Sequence, residues 1–371
     1  MKKKILFLIH DLGVGGAEKV LVSLVNHMDQ QKFDITVIAL FGGGVNEQFL
    51  APHIKYSYIW KKTIPCNSKL MKLLSPEFLH KDYIKDQYDI EVAYLEGPSA
   101  RIISGCDNPQ TKLIGWIHIE QHTKTCAAGA FRSYAESREC YSRFHKIICV
   151  SNTVKQDFQS IYPEIRNINV CYNTIETDQI HSLMNEPVED GLFHSDEFKL
   201  VAVGKICRRK GFDRLVKIVK RLRDESFPIH LYALGTGREQ KKIEAYARRI
   251  GIEPFFSFLG YQTNPYKYVA NCDLFVCASL AEGFSTAVTE ALIVGTPVCT
   301  VEVSGMKEIL GANNDWGIVV NNNDDALYEK IKWLVEHSKE LQYYKERATV
   351  RGEQFNTSAT VCAVEDILLT I

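Results

Sequence analysis

The chain has 371 residues, long enough for two domains with a core each, and its 46% hydrophobic and 24% charged composition is that of an ordinary globular enzyme. A formal net charge of −1 gives no electrostatic case for nucleic acid, which is not expected as a partner. The eleven cysteines are scattered with no Cys-x2-Cys pair, so neither a metal cage nor a disulfide framework is expected. Reading from the N-terminus, Lys2-Lys-Lys4 precedes an apolar run that stops after five residues at His10-Asp11, too short for a secretory signal. Ile5–Ile9 is read instead as a buried parallel strand, followed by Gly13-Val-Gly15-Gly16 and a helix carrying Val20, Leu21, Leu24 and Val25 on one face. Ile35–Leu40, Ile90–Tyr94, Leu113–Ile117 and Lys146–Val150 continue as strands.

The acidic, weakly periodic stretch 177–197 reads as a linker between an N-terminal domain, 1–176, and a C-terminal domain, 198–356. The second half restarts the pattern. Leu200–Val203 runs into a Gly-Lys turn and a helix with Leu215, Val216, Val219 and Leu222 on one face. Strands follow at His230–Leu234, Phe255–Leu259, Leu274–Cys277 and Pro297–Thr300. Alternating strands and helices imply parallel sheets covered on both faces, in an α/β fold of two Rossmann-like domains. Such sheets bind ligands beyond the carboxyl ends of their strands, and the glycine turns all fall there. No stretch approaches the ~20 apolar residues needed to span a bilayer. A cytoplasmic protein is expected, working at the inner face of the membrane if its acceptor is lipid-linked.

The most informative segment is Ala278-Ser-Leu-Ala-Glu282-Gly-Phe-Ser-Thr286-Ala-Val-Thr-Glu290, stopped by Gly295 and Pro297. It places one acid on a strand-to-helix turn and a second about a turn inside the helix. Unpaired backbone N–H groups at the helix start lie between them, suited to phosphate. Acids beside an anion site suit a nucleotide-sugar, whose hydroxyls and phosphates need opposite partners. Upstream, Lys205 and Lys210 leave the turn after a strand end and can neutralise a leaving diphosphate, with Arg208 and Arg209 close by. No Asp-x-Asp metal motif occurs at a strand end, and Asp324-Asp325 opens a late helix, so metal-independent chemistry with no cofactor is expected.

These residues resemble the Glu-x7-Glu motif of retaining glycosyltransferases of the GT-B fold, family 4. The resemblance extends over nearly the whole chain through Val203-Gly-Lys205, Lys210-Gly-Phe-Asp213, Gly260-Tyr-Gln-Thr-Asn-Pro-Tyr266 and Asp11-Leu-Gly-Val-Gly15-Gly-Ala-Glu18. It implies two Rossmann-like domains facing a central cleft, with a last helix, about 357–371, crossing back to the first domain. It assigns Glu290 to the ribose, Glu282 to the transferred sugar, and Gly283, Phe284, Ser285 and Thr286 to the sugar and phosphates. Tyr261 and Gln262 would flank the base, and Gly235 would let the nucleotide approach the sheet. Gly15 and Gly16 would serve phosphates and acceptor, and His118, in Trp116-Ile-His-Ile-Glu120, would lie near the reacting sugar. The family commonly has Arg where this chain has Lys205, and Lys lacks the bidentate fork of Arg.

Family members with Asn-Pro-Tyr after the glycine turn resemble bacterial surface-polysaccharide enzymes. The implied reaction is therefore retaining transfer of a hexose or N-acetylhexosamine from a UDP-sugar to a saccharide or polyprenyl-linked acceptor. Three other readings compete: a nucleotide-sugar epimerase of the same fold, a sugar-nucleotide sensor and an NAD-dependent oxidoreductase. The oxidoreductase is disfavoured because the second strand ends Ala39-Leu-Phe41-Gly42 without the acid that binds an adenosine ribose. Between Trp60 and Lys81 the chain also carries Lys61, Lys62, Lys69, Lys72 and Lys81 against Glu77, interleaved with Leu70, Met71, Leu73, Leu74 and Phe78. That pattern fits either a helix broken at Pro76 with its leucines in the core, or peripheral contact with an anionic membrane.

Overall fold

The computed structural model describes residues 2–62, 67–189, 191, 193 and 197–371, apart from the side chain of Ser68. The chain divides into an N-terminal unit, Met1–Thr174 with Thr357–Ile371, and a C-terminal unit, Ile175–Asn356. The N-terminal unit carries β1 (Lys3–Asp11), β2 (Phe33–Phe41), β3 (Lys55–Trp60), β4 (Ile90–Ala93), β5 (Lys112–Ile117), β6 (Lys146–Cys149) and β7 (Ile168–Val170). They form one sheet in the order β3-β2-β1-β4-β5-β6-β7, every pair parallel. Ile5 to Ile9 are fully buried, because both faces of a parallel sheet are covered by its crossover helices.

The C-terminal unit repeats the design with β8 (Phe198–Val203), β9 (Ile229–Leu234), β10 (Phe256–Gly260), β11 (Leu274–Cys277), β12 (Val298–Val301) and β13 (Ile318–Val320). Their order is β10-β9-β8-β11-β12-β13, again all parallel. In each sheet the order reverses beside its first strand, between β1 and β4 and between β8 and β11. The crevice outside the carboxyl ends at such a switch point is where open α/β sheets bind ligands.

Periodicity misses three strands. β3 is an edge strand with no buried residue and no regular alternation, while β7 and β13 have only three residues each, too few to show a pattern. The stretch 177–197, expected as a linker, instead gives helix Thr177–Leu183 to the C-terminal unit; positions 190, 192 and 194–196 lie outside the described residues. Asn264 holds this helix: its Nδ2 donates to Leu183 O at 2.9 Å and Glu186 Oε2 at 2.8 Å.

Helix Thr357–Thr370 belongs to the N-terminal unit. Its buried Glu365 accepts from Asp29 N at 2.6 Å and from Lys32 Nζ at 3.1 Å, and Lys3 Nζ donates to Leu368 O at 2.9 Å. A buried carboxylate is tolerable when hydrogen-bonded and paired, as here.

Candidate active site

At the switch point of the C-terminal sheet, two loops separated by 72 residues meet through a charge pair. Lys210 Nζ lies 2.6 Å from Glu282 Oε1, and the same oxygen accepts from Ser279 Oγ at 2.6 Å. Burial alone would lower the Lys210 ammonium, but Glu282 beside it outweighs that and holds its pKa above the ordinary lysine value. The pair thus bridges the loop after β8 to the loop after β11.

Backbone geometry explains the approach. Gly211, in the left-handed region with φ +66°, lies so close that a Cβ would stand 2.1 Å from Ala278 O. Only glycine satisfies both the angle and the space. Leu280 N donates to Arg209 O at 2.7 Å, closing the two loops on each other.

Sequence reasoning missed the support beneath this pair. Arg214, nearly buried, donates from Nη1 to Ala278 O at 2.7 Å and to Asn322 Oδ1 at 2.8 Å, and from Nε to Asp324 Oδ1 at 2.6 Å. Asn322 Nδ2 reaches Ser279 O at 3.3 Å. A rigid guanidinium fork therefore sets the strand end that carries Ser279 and Glu282. The signal in the sequence is Asp324, which there reads as the opening of a helix and has no visible partner.

Helix Thr286–Val294 follows, capped by Ser285, whose side chain accepts from Val288 N, and ended by Gly295 at φ +84°. It is buried along 288–294 and apolar there except for Thr289 and Glu290. Glu290, 7% exposed, is thus a carboxylate held in an otherwise apolar helix. Gly283 and Phe284 lie in the turn before the cap, and Gly305 packs so tightly there that a Cβ would come 2.5 Å from Gly283 O. Thr286 is the first helical residue. Helix N-termini carry unpaired N–H groups and a positive dipole end, so anions are stabilised there.

Lys205 is exposed, as are Arg208 and Arg209, giving the turn an open cationic rim. Gly235 takes φ +128°, and a Cβ would stand 2.0 Å from Gly204 O. Its glycine is required by the neighbouring backbone turn, a different reason from the expected approach of a nucleotide. Gly235 N donates to Gly260 O at 2.7 Å. Tyr261 is exposed beside it, whereas Gln262 Nε2 turns back to Leu259 O at 2.6 Å. A cavity of about 530 Å³ lies between Cys207, Arg208, Lys217, Lys242 and Tyr246; it includes neither Glu282 nor Glu290.

The N-terminal sheet carries different chemistry at the carboxyl ends of β1, β4 and β5. Gly15 precedes helix Gly16–His27 with no side-chain cap, and the turn before it is braced by Asp11 Oδ1 accepting from Gly13 N at 2.7 Å. Asn46 Nδ2 donates to Gly13 O at 2.5 Å. At the end of β5, His118 N donates to Glu96 Oε2 at 2.9 Å. The His118 ring sits 4.8 Å from Tyr94 and 6.2 Å from Trp116 between centroids. Burial pushes its pKa down to about 3, so the imidazole is neutral at physiological pH. His118 Nε2, Tyr94 Oη, Trp116 Nε1 and Ser99 Oγ are buried without hydrogen-bond partners among the described residues.

Among the described residues, two groups of side chains have metal-ligand spacing, His80/Glu91/Cys106 and Glu120/His122/Asp157, both in the N-terminal unit. In the first, His80 Nε2 lies 2.7 Å from Glu91 Oε2. Burial pulls His80 down, but hydrogen bonds to Cys106 and Glu91 outweigh it and raise the pKa to about 9. No helix of the described residues is long and apolar enough to cross a membrane.

Comparison with known proteins accounts for both halves of this arrangement. Residues 14–179 match the family model "Glycosyltransferase Family 4" and residues 186–351 match "Glycosyl transferases group 1". Over 95% of this chain and 96% of the relative, the sequence is 25% identical to an N-acetylgalactosamine-N,N'-diacetylbacillosaminyl-diphospho-undecaprenol 4-alpha-N-acetylgalactosaminyltransferase of Campylobacter jejuni. It is 22% identical to the lipopolysaccharide core biosynthesis glycosyltransferase LpsD of Rhizobium meliloti, covering 67% of this chain and 70% of that one. In fold it resembles Anabaena HepE, solved with UDP and glucose, at a TM-score of 0.79 and 18% identity over the full length of both chains. With a matched glycosyltransferase model on each half and the same doubly wound sheet repeated in each, the chain belongs to the family 4, group 1 glycosyltransferases of the GT-B fold.

Proposed function

We propose that the protein is a retaining, metal-independent glycosyltransferase. Its donor is a UDP-linked hexose or N-acetylhexosamine, and its acceptor a saccharide or polyprenyl-linked saccharide of a bacterial surface polysaccharide. The observation that carries this reading is the Lys210–Glu282 pair across the C-terminal switch point, beside the capped helix that holds Glu290. The undecaprenyl-diphosphate substrate in the name of the Campylobacter relative, and the UDP and glucose bound to HepE, support the choice of acceptor and donor classes.

In this reading the ribose hydroxyls are bound by Glu290, since a carboxylate can accept from two vicinal hydroxyls. The diphosphate meets the N-terminus of helix Thr286–Val294 through Gly283, Phe284, Ser285 and Thr286. Lys205 and Lys210 neutralise charge as the bond from the anomeric carbon to the phosphate oxygen breaks. Glu282 takes a hydroxyl of the transferred sugar and holds Lys210 in place. Tyr261 and Gln262 flank the base. Neutral His118 offers the sugar a hydrogen bond without a charge, and Gly15 and Gly16, lacking side chains, let the backbone approach the phosphates and acceptor. The acceptor oxygen attacks from the face the leaving group departs, its proton passing to the released phosphate oxygen, so configuration is kept. No carboxylate of the site is assigned as a nucleophile.

The test is to incubate the full chain with a panel of UDP-sugars and saccharide acceptors, following UDP release and the anomeric configuration of the product by NMR. Acceptor-dependent UDP release with an axial linkage from an axial donor is the expected result. An epimerised donor without transfer would replace this reading with the epimerase, and binding without turnover would replace it with a sensor.

A further inference from the structure

Four large apolar side chains stand in water within nine residues of the N-terminal unit. Leu70 is 52% exposed, Leu73 77%, Leu74 38% and Phe78 54%. The core-facing alternative for this segment therefore holds only for Met71, Pro76 and Leu79, which form the buried floor. Single exposed leucines are ordinary, but a contiguous group calls for a cause.

The turn presenting them is firmly held. Arg101, 1% exposed, donates from Nη1 to Met71 O at 2.9 Å and from Nη2 to Leu74 O at 2.8 Å, and its Nη2 lies 2.8 Å from Glu136 Oε1. Arg132 adds Nε to Lys72 O at 2.7 Å and Nη2 to Leu73 O at 3.3 Å. Ser75 caps the next helix, Pro76–Tyr83, by accepting from Phe78 N at 3.2 Å. Gly105 closes on the same corner, since a Cβ there would meet Pro76 O at 2.0 Å. A buried guanidinium is costly to desolvate. Here it fixes the carbonyls of a turn whose side chains point away from the core, so the projection is pre-organised.

Charge identifies what would cover it. Between Trp60 and Lys81 there are five lysines and one acid, Glu77, a net of +4. Lys61, Lys62, Lys69 and Lys81 are exposed, and Lys72 is half-buried. An apolar projection with a cationic rim is complementary to an interface of acyl chains beneath anionic headgroups. We propose that the turn Leu70–Leu74 with Phe78 is a docking surface for an anionic phospholipid leaflet, with the leucines entering the interface and the lysines meeting the headgroups. The inference rests on the proposed function only in that docking would bring the enzyme to a lipid-linked acceptor.

The test is co-sedimentation of the full chain with phosphatidylglycerol–phosphatidylcholine vesicles and with pure phosphatidylcholine vesicles, at low and high salt. Wild type is expected to partition onto the anionic vesicles at least about tenfold better at low salt, each lysine contributing up to roughly fivefold. Leu70→Ser/Leu73→Ser is expected to lower binding by about tenfold or more with an unchanged melting temperature, because both side chains are already exposed. Lys69→Glu/Lys81→Glu is expected to remove the salt-sensitive part. Two results would overturn the proposal: wild type ignoring anionic vesicles at low salt, or the double serine variant binding like wild type. A concentration-dependent dimer that the serine substitutions dissolve would likewise assign the face to a second copy of this chain. UDP binding, followed in parallel by calorimetry, separates the two readings: vesicle binding without UDP binding would sink the donor assignment and leave this one standing.

Discussion

In the C-terminal unit the loops after β8 and β11 meet through a charge pair, Lys210 against Glu282, supported by Ser279 and Arg214. In the N-terminal unit the carboxyl ends of β4 and β5 bring together Tyr94, Trp116 and a neutral His118. The two sheets share one strand order up to the extra β7, so the difference lies in the side chains that the strand ends and loops of one topology carry. A paired, buried charge fixes geometry for a ligand of fixed charge, as a nucleoside diphosphate would be. Aromatic rings and a neutral imidazole offer stacking surface and hydrogen bonds without a charge preference. One topology thus supports two chemistries because the ends of the strands are free to vary while the packed strands are not.

Breaking the charged side should have the largest effect. Lys210 is as much a part of the packing as of the proposed chemistry, because it pairs with the buried Glu282. Lys210→Ala is expected to cost about 3–5 kcal/mol in urea unfolding, because the Glu282 carboxylate is left buried and unpaired. Adding Glu282→Gln should recover most of that stability while transfer stays at least about a hundredfold down, a loss of ~2.7 kcal/mol in transition-state stabilisation. If Lys210→Ala unfolds like wild type, the pair is not the stabilising contact described here.

The N-terminal unit should answer to pH in a way the ion pair does not. His80 has its folded pKa raised to about 9, so its contribution is complete below the unfolded value near 6.5 and is lost as pH rises through about 9. The expected loss is on the order of 2–3 kcal/mol, absent in His80→Gln. His118 has the opposite sign. With a folded pKa of about 3, stability is complete above about 6.5 and declines as the pH falls toward 3, by roughly 2 kcal/mol at about pH 5. Urea denaturation across pH for wild type, His80→Gln and His118→Gln reads both arms. Parallel curves for all three would remove the contrast.

Glu290→Ala sharpens the comparison further, since the proposed function assigns Glu290 to donor binding. UDP affinity is expected to fall by about 1.5–3 kcal/mol, the value of a charge-assisted hydrogen bond, as measured by calorimetry. Unchanged UDP affinity would take Glu290 out of the donor site. The smallest expected effect is that of exhaustive EDTA: turnover should persist, because the proposed mechanism assigns the positive charge to Lys205 and Lys210. Activity lost to EDTA and regained with magnesium or manganese would mean the lysines do not suffice.

Much of this was legible in the chain itself. The first apolar runs of each half, the Gly-Lys turn after β8 and the helix stopped by Gly295 are local patterns, set by periodicity and backbone angle within some ten residues. The Glu282 and Glu290 spacing places one acid in a turn and one in a helix whatever surrounds them. The partners were not legible. Lys210 finds Glu282 across 72 residues only because β8 and β11 are neighbours in the sheet, and Arg214 finds Asp324 across 110 because helices Phe212–Asp224 and Asp324–Glu336 pack together.

Tertiary structure also decided what each side chain was for. Gly235 and Gly211 look alike as turn glycines in the sequence, yet each is required by a particular backbone oxygen, Gly204 O and Ala278 O. Leu70, Leu73 and Leu74 follow a spacing that a core helix would also show, yet they face outward on a turn held by Arg101 at Met71 O and Leu74 O and by Arg132 at Lys72 O and Leu73 O. A sequence by itself determines which local conformations are cheap and which residue types are available to a site. Which of them meet, and which face water, depends on the order in which strands assemble, because the free energy of a buried charge or an exposed leucine is set by neighbours far away in the chain.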